Sequence, residues 1–306
     1  MEKRRIGSLS VSVVGLGCNN FGKRLDAEAT ASVVNAALES GIDFFDTADM
    51  YGGTLSEEFL GRALASRREQ VVIATKFGVK LNEQRPGGAS PAYIRQAVED
   101  SLRRLGTDRI DLYQLHTPDP SVPIADTLGA LDELVRTGKV REIGCSNFSA
   151  QQLQEARAAV KSGAARFASV QNEYSLLHRE PESAVLPECE REGLAFLPYF
   201  PLASGLLTGK YRRGQPPPPG TRISEGGRFA PLLADKQLAR VESLRSFAEA
   251  RGHTLLELAF SWLLARSSVV SVIAGATSAA QAKSNSAAAG WRLTRDELAE
   301  IDKLLA

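Results

Sequence analysis

The chain has 306 residues, with 37 Lys and Arg against 36 Asp and Glu, a net charge of +1. That balance excludes a polyanion-binding face as the main business of the protein, so no nucleic-acid partner is expected. A hydrophobic content of 43% with 24% charged residues is that of a soluble globular protein and excludes a disordered chain.

Three dispersed cysteines, Cys18, Cys145 and Cys189, form neither a disulfide framework nor a zinc knuckle. They fit a reducing, cytoplasmic setting, and no metal site is expected. The uncharged stretches 193–209 and 267–282 are shorter than the ~20 apolar residues of a membrane span. Pro198 and Pro201 interrupt the first, and Ser, Ala and Gly dominate the second. The charged N-terminus is not followed by an apolar h-region, so neither a membrane partner nor a signal peptide is expected.

In chain order, residues 4–12 predict a small hairpin turning at Gly7-Ser8. A strand over 11–16 and a helix over 27–40 follow, the helix with Asp26 as N-cap and Gly41 past its end. Residues 42–46 predict a strand and 56–65 a helix, although Ser56 with Phe59 falls short of a capping box. The β-branched run 71–75 predicts a strand. The helix over 90–105 has Pro91 at its first position and Gly106 after its last. Strand 110–115 leads to helix 124–137, strand 142–145 to helix 149–159, and strand 168–172 to helix 181–192. Strands over 195–199 and 269–273 complete the set, with helices over 279–289 and 294–304. Leu258, Trp262 and Ala265 lie on one face of a further core helix.

Eight strands alternating with helices imply parallel pairing with right-handed crossovers. Eight such units predict a closed (β/α)8 barrel of the α/β class, with an N-terminal β-hairpin and an extra C-terminal helix. Residues 201–233 are a long Pro/Gly-rich insertion, read as a functional loop beside the site. With no linker or internal repeat, residues 1–306 read as one domain.

Two nucleotide-binding motifs fail on inspection. Gly15-x-Gly17 lacks the third glycine, because position 20 is Asn20, and no helix opens there. The stretch 205–210 resembles a P-loop but is one residue short and is followed by Tyr211. What survives is positional. Barrel chemistry sits at the C-terminal ends of the strands. There the predicted strands place Asp46 and Thr47, Lys76, His116, Ser146 and Asn147, and Gln171, Asn172 and Glu173, with Tyr51 in the loop after Asp46.

Taken singly, each has a plain structural reading: a turn cap, a solvated lysine, a core histidine, a loop anchor. Taken together they suggest proton transfer. An ammonium such as Lys76 favours the ionised form of a neighbouring tyrosine and lowers its pKa from ~10. Asp46 would hold Lys76, and His116 could hydrogen-bond an oxygen beside the Tyr51 hydroxyl. Such a tyrosine can give a proton to a carbonyl oxygen or take one back. Cys and Ser show no activating partner in the sequence, so a hydride from a cofactor is the economical nucleophile.

The chain resembles the aldo-keto reductase family. The resemblance rests on Gly15-Leu-Gly17-Cys18, Phe45-Asp46-Thr47-Ala48-Asp49-Met50-Tyr51-Gly52, Ala74-Thr75-Lys76, Asp111-Leu-Tyr-Gln-Leu-His116, Gly144-Cys-Ser146-Asn147-Phe148, Val170-Gln171-Asn172 and Tyr199-Phe-Pro-Leu-Ala203. It runs in order through nearly the whole chain. It implies a (β/α)8 barrel binding NAD(P)H across its mouth, with a catalytic tetrad of Asp46, Tyr51, Lys76 and His116. It implies reduction of an aldehyde or ketone, or oxidation of a sugar or alcohol in reverse.

For the cofactor, the resemblance implies Gly17, Cys18 and Asp46 at the mouth, with Ser146, Asn147 and Gln171 on the nicotinamide carboxamide. It implies Tyr199 stacked on the ring, with Phe200 where a serine is frequent. Pro201, Leu202, Ala203, Gly205 and Lys210 fall on the pyrophosphate loop, and Gly275, Thr277, Gln281 and Asn285 at the adenosine end. Many NADPH-dependent members carry a basic residue near Thr277 or Gln281. This chain has none at either, leaving Arg222 or Lys283 to supply the charge. NADPH is the expected cofactor and NADH the alternative. Phe21, Phe77 and Phe229 would wall a pocket for a small carbonyl compound or a sugar.

Two other readings remain open. A cofactor-binding accessory subunit with little turnover would show a partner surface or an added N-terminal segment, and the chain begins only a few residues before the predicted barrel. A Schiff-base aldolase would use Lys76 as its nucleophile.

Overall fold

A computed structural model describes residues 1–83, 86–221, 223–224 and 233–305. Arg222 and Phe229 therefore lie outside the described residues. The chain opens with an antiparallel hairpin, β1 (Lys3–Ile6) and β2 (Leu9–Ser12), turning at Gly7 as expected. Eight parallel strands follow: β3 (Val14–Gly17), β4 (Phe44–Asp46), β5 (Val72–Phe77), β6 (Ile110–Leu115), β7 (Val140–Ser146), β8 (Phe167–Glu173), β9 (Ala195–Tyr199) and β10 (Val272–Gly275). They pair in the order β10-β3-β4-β5-β6-β7-β8-β9. The last seam is closed just ahead of β10, where Phe196 N donates to Ser268 O at 2.7 Å and Val270 N donates to Phe196 O at 3.1 Å. The predicted barrel is thereby formed.

Among the described residues, four of the helices between strands begin at a side-chain cap, at Asp26, Ser90, Ser149 and Thr254. Helix α1 (Ala27–Glu39) starts at Asp26, whose carboxylate accepts from Ala29 N at 2.8 Å. Helix α2 (Leu55–Leu64) follows β4. Helix α3 (Pro91–Leu105) is capped by the Ser90 hydroxyl and ends at Gly106, whose φ of 63° needs glycine. Helices α4 (Ile124–Arg136) and α5 (Ala150–Ala159) follow β6 and β7, α5 with a full capping box of Ser149 and Gln152. After β8 comes α6 (Val185–Glu192), and after β9 come α7 (Asp235–Glu249) and α8 (Leu255–Leu264). Helices α9 (Ala279–Ala287) and α10 (Arg295–Leu305) end the chain. Among the described residues, no helix is long and apolar enough to cross a membrane.

Three boundaries differ from the sequence expectation. The strand read over 11–16 is two strands. Ser12 breaks the run by donating its hydroxyl to Val14 O and its amide to Asp43, so the chain leaves the hairpin and enters the barrel within one apolar stretch. The last strand begins at Val272, because residues 268–270 are spent on the closing seam. Helix α7 was not predicted: its apolar residues are sparse and mixed among Lys, Arg, Gln and Glu.

Two apolar cores result. The inner one joins Phe44, Val72, Ala74, Leu112, Leu197 and Ile273 with hairpin residues Ile6, Leu9 and Val11. The hairpin thus plugs the N-terminal end of the barrel, and Ser8 N is held there by Glu142 Oε1 at 2.7 Å. The outer core fills the layer between strands and helices. Within it α2 and α3 touch backbone to backbone: a Cβ on Gly61 would lie 2.4 Å from Leu105 O. Gly61→Ala, which in an open helix position gains about 1 kcal/mol, is expected here to lose about 1–3 kcal/mol by overpacking. A lowered urea midpoint is the readout.

Candidate active site

The mouth opposite the hairpin gathers the polar residues and the backbone strain. The described non-glycine residues with positive φ are Thr54, Asn147, Phe200, Ala203 and Ser204. All five lie in loops that leave the C-terminal ends of β4, β7 and β9. Such conformations persist only where surrounding structure enforces them, and they concentrate at functional sites.

At the centre lies Lys76 on β5, fully buried. Its ammonium donates to Asp46 Oδ2 at 2.6 Å, to Thr47 O at 2.9 Å and to Tyr51 Oη at 3.5 Å. An ammonium carries three protons, and these are three acceptors. Asp46, at the end of β4, is completed by two amides on its other oxygen: Gln171 Nε2 at 2.9 Å and Gln114 Nε2 at 3.2 Å. Tyr51 reaches the group from a 3-10 turn (Tyr51–Thr54) between β4 and α2. That turn is seated by glycine. A Cβ on Gly52 would lie 2.4 Å from Phe21 O, so the loops after β3 and β4 rest backbone on backbone. The His116 ring stands edge-on to the Tyr51 ring at 5.9 Å between centroids. The structure therefore brings Asp46, Tyr51, Lys76 and His116 together.

The electrostatics correct one expectation. Tyr51 sits above its ordinary pKa, not below it. Burial of the hydroxyl raises it, and the lowering by Lys76 is further offset by the Asp46 carboxylate. Lys76 is raised too: burial alone would lower it, but Asp46 and Tyr51 more than reverse this, so it stays an ammonium. Burial and the Lys76 charge push His116 down to about 3, which keeps its imidazole neutral. Cys18 and Cys145 are fully buried and their thiols are raised by desolvation, as suits packing residues.

The residues expected to hold a cofactor form a second network beside the first. Ser146 Oγ donates to Gln171 O at 2.6 Å, and Asn147 Nδ2 donates to His116 O at 2.9 Å. Tyr199 Oη donates to Asn147 Oδ1 at 2.8 Å. Gly17 pairs with both Asp46 and Gly275, and Cys18 N donates to Asp46 O at 2.8 Å. Phe200 packs edge-on against Tyr199 at 5.3 Å. Beyond it Pro201, Leu202, Ala203 and Gly205 form a tight turn in which Gly205 N donates to Leu202 O at 2.8 Å. Lys210 Nζ lies 3.3 Å from the position a Gly205 Cβ would take. At the far side Gln281 Oε1 accepts from Thr277 N at 2.8 Å and from Thr277 Oγ1 at 3.1 Å, and Asn285 Nδ2 reaches Gly275 O at 3.5 Å. Lys283 pairs with Glu39 of α1 at 3.5 Å. Arg222 falls outside the described residues. Asn172 and Glu173 stay apart: Asn172 bonds Phe148 O, and Glu173 faces His178.

Sequence reasoning missed Gln114. Strand register carries its signal: it pairs with Lys76 across β5 and β6 and stands two residues before His116. Gly144 opposite leaves it room, since a Cβ there would lie 3.2 Å from Gln114 Cγ. Removing one partner of the buried Lys76–Asp46 pair strands a charge. Lys76→Met is expected to cost about 3–5 kcal/mol of stability, and adding Asp46→Asn is expected to restore much of it. Chemical denaturation of the single and double variants checks both.

The Aldo/keto reductase family model matches residues 13–306. Aldo-keto reductase YhdN of Bacillus subtilis (strain 168) is 35% identical over 305 residues, covering 97% of this chain and 91% of that protein. The glycerol dehydrogenase AKR11B4 from Gluconobacter oxydans superposes with a TM-score of 0.86 at 34% identity, over 99% of this chain and 95% of that one. The holo form of aldo-keto reductase AKR11C1 from Bacillus halodurans gives 0.83 at 34% identity, over 99% and 96%. With its barrel, its buried Lys76–Asp46 pair and these matches, the chain belongs to the aldo/keto reductase family.

Proposed function

We propose that this chain is a nicotinamide-dependent oxidoreductase that reduces aldehyde or ketone carbonyls, or oxidises sugars or alcohols in reverse, with Tyr51 as the proton-transferring group. The observation that carries this reading is the direction of the Lys76–Tyr51 hydrogen bond. Lys76 donates to the phenol oxygen. The phenol proton is thereby directed away from Lys76, toward a substrate oxygen at the mouth. Because burial raises Tyr51, the group stands protonated and ready as an acid. The neutral His116, its Nδ1 buried with no partner among the described residues, orients that substrate oxygen by hydrogen bonding. Asp46 keeps Lys76 charged and in place.

The residues fit a bound dinucleotide. The Ser146–Asn147–Gln171 network offers amide and hydroxyl groups for a carboxamide, and Tyr199 offers a ring face. Residues 201–205 with Lys210 make a backbone cradle carrying a cation, which suits a pyrophosphate. Gly275, Thr277, Gln281 and Asn285 would take the adenosine end. When bound, the nicotinamide supplies the hydride that the protein's own side chains do not. Residues 1–306 then act as one catalytic unit on a small carbonyl or sugar substrate.

The Schiff-base reading fares poorly, because a buried ammonium paired to a carboxylate is not nucleophilic. The complete set of Asp46, Tyr51, Lys76 and His116 favours turnover over an accessory role. Between cofactors, NADPH is the expectation carried over from the resemblance, while one observation favours NADH. Thr277 and Gln281 bond each other as neutral groups, and Lys283 is turned to Glu39. Fluorescence titration with both dinucleotides decides. At least tenfold tighter NADPH binding establishes it as the cofactor, and the reverse order establishes NADH.

Tyr51→Phe is expected to lower kcat by about 10²–10⁴-fold, the usual worth of a positioned acid, while cofactor affinity stays within about twofold. For the unmodified protein, carbonyl reduction should stay flat from about pH 6 to 9 and fall only above roughly pH 10, where the phenol ionises. No inflection belongs near 6.5, because His116 does not titrate there. Steady-state assays of 4-nitrobenzaldehyde with NADPH and NADH test this, and full activity in Tyr51→Phe would sink the mechanism.

A further inference from the structure

Tyr51, Lys76 and Asp46 are held from behind by Ser56 and Glu57, neither of which the sequence placed in the site. Strand geometry points successive side chains to opposite faces. Lys76 faces into the barrel, so Thr75 faces outward to the helices. Asp46 likewise faces in, and Thr47 out. Both outward hydroxyls end on the first turn of α2. Thr75 Oγ1 donates to Glu57 Oε1 at 2.6 Å. The Thr47 and Ser56 hydroxyls lie 2.8 Å apart, and Ser56 Oγ donates to Cys18 O at 2.9 Å. Since the Ser56 proton goes to Cys18, Thr47 is the donor in the first contact. Two adjacent helical residues thus grip the ends of β3, β4 and β5.

Glu57 is fully buried, and its second oxygen takes Arg104 of α3, with Nε at 2.7 Å and Nη2 at 2.6 Å. Arg104 Nη2 is braced in turn by Ser101 Oγ at 3.2 Å. A buried ion pair is an expensive way to pack a helix on a barrel, because apolar residues of the same volume usually serve stability as well or better. What the pair supplies and apolar packing does not is direction. The Glu57 carboxylate is fixed by a two-point guanidinium contact, and it fixes the Thr75 hydroxyl. One residue further on, Lys76 meets Tyr51 at 3.5 Å, the outer limit of a hydrogen bond. A small shift of β5 breaks that contact.

We propose that Glu57, with Thr75 and Ser56, is a positioning residue for the reaction, clamping β5 and β4 from the helix side so that the Lys76 ammonium stays on the Tyr51 oxygen. The proposal rests on the acid–base reading of Tyr51 given above. Thr75→Val keeps the branched shape and removes only the hydroxyl. With 4-nitrobenzaldehyde as the probe substrate, Thr75→Val is expected to lower kcat by about 10–100-fold, the scale of a misplaced catalytic group. Its KM and its dinucleotide affinity by fluorescence titration should stay within about twofold. Thr75→Ser, which keeps the hydroxyl, should recover kcat to within about threefold of the unmodified protein. Ser56→Ala, at the second grip, should lower kcat in the same selective way.

A purely structural role predicts otherwise: a lower melting temperature for Thr75→Val with unchanged kcat, or a parallel loss of kcat and dinucleotide affinity that serine does not restore. Either result overturns the clamp. Tyr51→Phe run alongside separates the two levels. If it keeps full turnover, the acid–base reading fails and the clamp falls with it. If it loses turnover while Thr75→Val does not, only the clamp fails.

Discussion

A fully buried ammonium must place three protons, and at Lys76 the three acceptors come from different kinds of group: the Asp46 carboxylate, the Thr47 carbonyl and the Tyr51 hydroxyl. This requirement organises the mouth of the barrel. It forces the end of β4 to approach β5 closely, brings the loop carrying Tyr51 back over the barrel, and demands that Asp46 be held by further donors. Gln114 and Gln171 meet that last demand from strands β6 and β8. The cost of desolvating Lys76 is repaid only in this geometry. The network is thus narrow in what it tolerates, which is a useful property for a site that must present one phenol proton in one direction.

The rest of the molecule divides its labour around that constraint. The N-terminal end is sealed by a hairpin that shares the inner apolar core; Glu142 holds its turn, and Arg4 ties its first strand to the carbonyls of Leu264 and Val269 beside the closing seam. The C-terminal end holds the strained backbone of Thr54, Asn147, Phe200, Ala203 and Ser204. Burial works differently on each ionisable group there. It holds Tyr51 as a phenol and His116 as a neutral imidazole, while the Asp46 charge keeps Lys76 an ammonium. Burial therefore sets two of the three protonation states, and the ion pair with Asp46 sets the third. Cation placement is equally economical at the cofactor groove. Lys210 lies over the Gly205 turn, while Lys283 is committed to Glu39.

Much of this was legible beforehand, for physical reasons that differ by level. Helix starts such as Asp26, Ser90 and Ser149 are local hydrogen-bond chemistry, so their capping residues announce them. The barrel follows from the count of alternating units, since eight parallel strands leave little choice of topology. Asp46, Tyr51, Lys76 and His116 were visible because each ends a predicted strand or follows one closely. Helix α7 was not visible, because its polar face outweighs its buried one. The break at Ser12 was hidden inside a continuous apolar run. The direction of the Tyr51 shift was misjudged for a third reason: desolvation depends on what covers a group, and sequence proximity to a lysine does not report it.

Sequence by itself determined the alternation of barrel strands and helices, the family and the identity of the residues at the strand ends, because these depend on local propensity and on spacing along the chain. Tertiary structure alone decided which of them share a proton network. Gln114 joins Asp46 through strand register, and Glu57 reaches Thr75 because α2 packs on the outside of β5. Both contacts depend on which faces meet across separate elements, and no pattern along the chain encodes that meeting directly.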